Sequence, residues 1–259
     1  MKALLAGATA LALFVPGLAM AAGVDGTWKA STDSAQAPKK PEVYVITSKT
    51  YECKTCTPAF SVPVDGNYHP VKGNPYWDSV AIRLSSNSVT EMDFRKGKQV
   101  ATSTTSISSD GKTATTTFED SSASTVPVKG AVVARRTAPG KAGEHPASGS
   151  WQTVAYSGFN DAALTISYKT QGDTLTMSTP TGQGYTAKLG GPAAPYKGDP
   201  GTDTVQVKMD GKSLVETDMR GGKVTAIATT TPSADGKSIS VTVENKLKGN
   251  SMSFTAKKL

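Results

Sequence analysis

Residues 71–120 read VKGNPYWDSVAIRLSSNSVTEMDFRKGKQVATSTTSISSDGKTATTTFED. Shifted by 125 positions, they fall without a gap on residues 196–245, YKGDPGTDTVQVKMDGKSLVETDMRGGKVTAIATTTPSADGKSISVTVEN. Twenty of the fifty positions are identical, more than chance gives, so the chain carries an internal duplication. The shared residues include Lys72/Lys197, Gly73/Gly198, Asp78/Asp203, Glu91/Glu216, Asp93/Asp218 and Arg95/Arg220, with Asp110-Gly111-Lys112 against Asp235-Gly236-Lys237. Further out, Gly26-Thr27-Trp28 meets Gly149-Ser150-Trp151, and Ala134-Arg135-Arg136 meets Ala256-Lys257-Lys258. Each copy is then about 110 residues, a common domain size.

Both copies alternate with period two. Val80, Ile82 and Leu84 point one way, Ala81 and Arg83 the other; Val205, Val207 and Met209 repeat the pattern. Asp-Gly at 110–111 and 235–236 signals a hairpin, because these residues tolerate positive φ. About eight short strands are expected per copy, and no stretch carries a helical period. Strands at this spacing imply a sandwich or a barrel. A meander that hides its edges favours the barrel. The expectation is an all-β chain of two consecutive antiparallel up-and-down barrels, residues 22–138 and 147–259. The segment 139–146, rich in Pro, Gly and charge, is read as a linker.

Ahead of the first copy, Met1-Lys2 is followed by an apolar run to Val15, a Pro16-Gly17 break and Ala19-Met20-Ala21. This is the pattern of a secretory signal peptide, residues 1–21, cleaved after Ala21. The run is too short to span a bilayer. A periplasmic or secreted protein without stable membrane insertion is expected. Of 259 residues, 37% are hydrophobic and 25 are Gly, which argues against wholesale disorder. The net charge of +7 is read as a solvated surface rather than a nucleic-acid footprint, since an exported protein rarely meets nucleic acid.

The Gly-x-Trp triplets at 26–28 and 149–151 resemble the opening of the first strand in lipocalin and avidin-like (calycin) barrels. In lipocalins a basic residue near the final strand packs over that Trp. By resemblance Trp28 and Trp151 are structural, with Arg135 or Arg136, and Lys257 or Lys258, as the covering cations. The block from Val71 through Lys112 also resembles a repeat of uncharacterised exported bacterial proteins with lipocalin-like folds. Each copy is shorter than a typical lipocalin and lacks its terminal helix signal.

Cys53 and Cys56 form a C-x-x-C amid strand-like sequence with Pro58 and Pro63 close behind. A redox site would place the motif at a helix start, and a metal site needs more ligands than nearby His69 supplies. A local disulfide is expected, with no metal and no cofactor. Glu91, Asp93 and Arg95 share one strand face, read as solvated because charged residues are rarely buried. Asp78 and Asp203 are expected to bond loop amides.

The copies differ. Ile239, Val241 and Val243 in copy two face Ala114, Thr116 and Phe118 in copy one, and Val215 faces Thr90. Copy one also gathers Tyr68, His69, Tyr76 and Trp77 around the loop that the copies share, residues 72–78 and 197–203, the composition of a small-molecule site. No nucleophile elbow, H-E-x-x-H or phosphate loop is present. The expectation is a non-catalytic binding protein of the cell envelope, with a small hydrophobic or amphiphilic ligand in copy one. The alternative is a structural or interaction protein with filled barrels and a surface partner. The oligomeric state is left open.

Overall fold

The computed structural model describes residues 23–259, so the segment read as a signal peptide lies outside the described residues. The chain is all-β and builds two antiparallel ten-stranded sheets, one a closed barrel and one nearly closed. The barrels do not follow the two copies strand for strand.

Barrel one is a continuous piece of chain. It comprises β2 (Glu42–Ile46), β3 (Thr50–Cys53), β4 (Phe60–Pro63), β5 (His69–Pro70), β6 (Ser79–Leu84), β7 (Ser88–Arg95), β8 (Lys98–Ile107), β9 (Thr113–Asp120), β10 (Val128–Pro139) and β11 (Gly149–Ser157). Sequential strands pair, and β11 returns to pair with β2; the ladder is interrupted only between β4 and β5. Barrel two comprises β1 (Gly26–Ala30) followed by β12 (Thr165–Gln171), β13 (Thr174–Ser178), β14 (Gly184–Lys188), β15 (Ala194–Lys197), β16 (Thr204–Asp210), β17 (Ser213–Arg220), β18 (Lys223–Pro232), β19 (Ser238–Asn245) and β20 (Asn250–Lys258). β1 lies between β12 and β20 and closes the ring.

Each copy has therefore given its Gly-x-Trp strand to the other barrel. Trp28 packs in barrel two and Trp151 in barrel one. The sequence boundaries at 138 and 147 correspond to no division between the sheets. Residues 139–146, read as a linker, lie at the turn between paired β10 and β11. The true crossings are residues 31–41, from barrel two to barrel one, and residues 158–164 with the short helix α1 (Asp161–Leu164), which return. The first crossing is tacked to β20: the Ser31 amide donates to Thr255 (2.9 Å), and Gln36 and Ser253 exchange backbone bonds. The exchange is sterically equivalent for either triplet. Gly26 lies opposite Tyr168 as Gly149 lies opposite Tyr44.

The triplet chemistry is the same at both ends. Trp28 Nε1 donates to the Val24 carbonyl (2.7 Å) and Trp151 Nε1 to the Ala147 carbonyl (2.9 Å). Lys258 lies 5.1 Å from the Trp28 ring and Arg136 4.1 Å from the Trp151 ring, a distance suited to cation–π attraction. The covering residue is thus Arg136, while Arg135 is exposed, because alternation on β10 turns adjacent side chains to opposite faces. Gly149 is needed at φ +116°: a Cβ there would sit 2.3 Å from the Ala138 carbonyl oxygen.

Ten strands per sheet exceed the eight expected, partly because β5 is only two residues long. The hairpins at 110–112 and 235–237 form with Gly111 at φ +69° and Gly236 at φ +66°. Asp110 and Asp235 each accept the amide two residues on and a Ser hydroxyl. Cys53 and Cys56 are joined by a disulfide with Cα atoms 5.5 Å apart.

Candidate functional site

Barrel one holds a cavity of about 310 Å³ that is partly open to solvent. One wall carries Tyr44, Ile46 and Tyr51 from β2 and β3, with Trp151 from β11; another carries Ser103, Thr105, Ala114 and Thr116 from β8 and β9. Register explains the space. Ala114 takes the place of Ile239, Thr116 that of Val241, and Val132 that of Phe254. In barrel two these larger residues pack with Trp28, Leu175, Met177 and Leu214. Barrel one has lost that volume to small and hydroxylated side chains. The volume falls at the lower end of ordinary ligand sites.

The wall also carries Glu91. The expectation that Glu91 and Asp93 face solvent is overturned: the inward face of β7 is Val89, Glu91 and Asp93. Thr90 and its counterpart Val215 consequently point outward, so that difference does not bear on the lumen. A bulge between Asp93 and Phe94 then breaks the alternation. Arg95 is redirected to the shared loop, where it donates to the carbonyls of Pro75 (3.2 Å) and Tyr76.

A carboxylate tolerates the interior only with partners. In barrel two the equivalent Glu216 accepts hydrogen bonds from Tyr168 (3.2 Å) and Tyr185. Burial nevertheless pushes its carboxyl up to about 7, with the Asp218 charge adding and the two tyrosine bonds opposing. Asp218 itself is raised to about 6 by burial and by Asp199. Glu91 is raised by burial, with Tyr51 and Asp93 as its hydrogen-bonding neighbours. Asp93 is raised by burial and by the charges of Glu91 and Asp120, and its Oδ1 is buried without a hydrogen-bond partner. Two adjacent inward carboxyls of this kind hold a proton between them.

The counterpart of Tyr185 is Phe60: Tyr185 pairs with Met177 as Phe60 pairs with Cys53. Barrel one thus lacks a hydroxyl at that place, and Tyr51, which stands where barrel two has Leu175, brings one to Glu91 from β3. Glu42, also in the wall, accepts from Thr55 (2.6 Å) and makes an ion pair with Lys248 of the β19–β20 hairpin (2.8 Å).

Tyr68, His69, Tyr76 and Trp77 do not line this cavity. Tyr68 is 60% exposed and lies against Phe94, ring centroids 4.0 Å apart. His69 Nε2 meets Asp65 at 2.8 Å. Trp77 packs edge-on to Phe60. Tyr76 reaches barrel two, where it neighbours Asp199 and Arg220. Its hydroxyl leaves no room for a side chain at Gly201, whose Cβ would lie 2.1 Å away. Asp78 accepts the Lys96 amide and Asp203 the Gly221 amide, both at 2.7 Å, tying the loop to the β7–β8 and β17–β18 turns.

Sequence reading missed Glu91, Tyr44 and Tyr51 as cavity residues. The available signal was a carboxylate retained in both copies two residues after an apolar residue, Val89 or Leu214, on the same strand face. No family model matches the chain, and the comparisons found neither a curated protein nor a solved structure that matches it.

Proposed function

We propose that the protein is a non-catalytic binding protein of the cell envelope, exported by cleavage after Ala21, whose lipocalin-like first barrel holds a small amphiphilic molecule. The observation that carries this reading is the cavity in barrel one at the place where the duplicated barrel has Ile239, Val241 and Phe254 in or against its core cluster. A ligand with an apolar tail would cover the apolar wall of this cavity and so stabilise the folded protein.

Native mass spectrometry of protein secreted to a periplasm tests it. An adduct lost on denaturation, and absent from an A114I/T116V variant that restores the copy-two residues, is the expected result. The same apo mass for both proteins, with no thermal shift from amphiphiles, would overturn it. The denatured mass also reports whether residues 1–21 have been removed.

A further inference from the structure

We propose, resting on the binding role of barrel one, that its ligand is a primary organic amine, bound as the ammonium ion with Glu91 as counter-ion. The protein carries net charge +7, yet among the described residues the cavity wall includes two carboxylates, Glu42 and Glu91, and no Lys or Arg. Lys248 already neutralises Glu42. Among the described residues no cation makes an ion pair with Glu91, and its carboxyl neighbour is Asp93.

The comparison with barrel two gives the second support. Glu216 is held by two tyrosine hydroxyls in a filled core, which is a structural arrangement. Barrel one keeps the carboxylate, exchanges the Tyr185 hydroxyl for that of Tyr51, which stands where barrel two has Leu175, and removes the bulk above it. What remains is an acceptor facing space. The hydroxyls of Ser103, Thr105 and Thr116 offer further acceptors for an N–H donor, and the rings of Tyr44, Tyr51 and Trp151 suit an alkyl or aryl tail. The space corresponds to about ten water molecules, so the ligand has roughly a dozen non-hydrogen atoms.

Binding an ammonium ion here displaces the proton that Glu91 and Asp93 hold between them. Amine affinity therefore rises with pH until the pair is ionised. The other titratable groups facing this site are Tyr44 from β2, Tyr51 from β3 and Asp120 from β9, with Glu42 and Lys248 at the edge. The tyrosines are raised and stay neutral.

The experiment is isothermal calorimetry on the mature chain with three probes of one length: hexylamine, 1-hexanol and hexanoate. Hexylamine is expected to bind about tenfold tighter than hexanol, as one charge-assisted hydrogen bond implies, and hexanoate weakest. E91Q is expected to remove that preference, bringing hexylamine to the affinity of hexanol, and its thermal unfolding transition shows whether the variant is folded. Should E91Q fail to fold, the pH dependence replaces it: hexylamine affinity falls on acidification and hexanol affinity does not. Equal binding of amine and alcohol, or a preference that survives both E91Q and acidification, overturns the amine proposal and leaves the binding role standing. Absence of binding by all three probes, unchanged in A114I/T116V, overturns both.

Discussion

Two glutamates at the same place in duplicated barrels have different surroundings. Glu216 is enclosed by Tyr168, Tyr185 and a dense apolar core, and Glu91 faces open space beneath Tyr44 and Tyr51. The backbone framework is shared, down to the Trp capped by a cation at one end. A few side chains decide whether the interior is a core or a receptacle: Ile239, Val241 and Phe254 against Ala114, Thr116 and Val132. Fold alone therefore assigns no role to either barrel.

The sharpest way to break the comparison is to cut the chain. Residues 42–157 contain all strands of barrel one and are expected to fold alone, giving a dispersed NMR spectrum. Residues 22–138 lack β11 and carry an orphan β1, and are expected to stay largely unfolded. A chain beginning at Thr32 keeps barrel one and loses barrel two. Reversal of these outcomes would mean that the strand exchange is wrong.

Next in size, I239A should open in barrel two the space that Ala114 leaves in barrel one. A loss of about 2–5 kcal/mol in denaturant unfolding is expected, confined to the barrel-two transition. The same transition should depend on pH. The Glu216 carboxyl is about 7 in the folded protein against an ordinary 4.5, so the folded state binds the extra proton between these values. Stability contributed by this group is then present near pH 4.5 and lost as pH rises towards 7, by roughly 3 kcal/mol in all. E216Q should flatten that slope, leaving the smaller one from Asp218; an unchanged slope would assign the effect elsewhere. Smallest, replacing Cys53 and Cys56 by Ser opens a very short loop and should lower barrel one by about 2 kcal/mol, leaving barrel two as it was. Equal shifts in both transitions would show the barrels to be one cooperative unit.

Much of this architecture is legible in the residues. The duplication, the period-two strands and the Asp-Gly-Lys hairpins are local patterns, and the local disulfide follows from the cysteine spacing. The exchange of first strands is not legible, because Gly26-Thr27-Trp28 and Gly149-Ser150-Trp151 carry the same chemistry and either fits either barrel. Glu91 was misread for a related reason: a carboxylate is rarely buried, and the tyrosine that receives it, Tyr51, lies on another strand far along the chain. The aromatics near the shared loop were legible as unusual. Their distribution among a core edge, an exposed stack and a contact with Gly201 depends on tertiary approach, which no local pattern encodes.

The strand exchange also sets an order of assembly. β1 and β12 pair antiparallel, Lys29 against Thr165 and Gly26 against Tyr168, like the two arms of a hairpin. The turn of that hairpin is the whole of barrel one. Joining such arms across an unfolded intervening chain carries the closure entropy of a very long loop. Once barrel one has folded, β2 and β11 lie side by side and the two arms leave from neighbouring strands, so most of that entropy has already been lost. Refolding should therefore be sequential, with barrel one the fast phase and barrel two waiting on it. During synthesis, β1 remains without its second neighbour until β20, the last of the described strands to be made, has emerged.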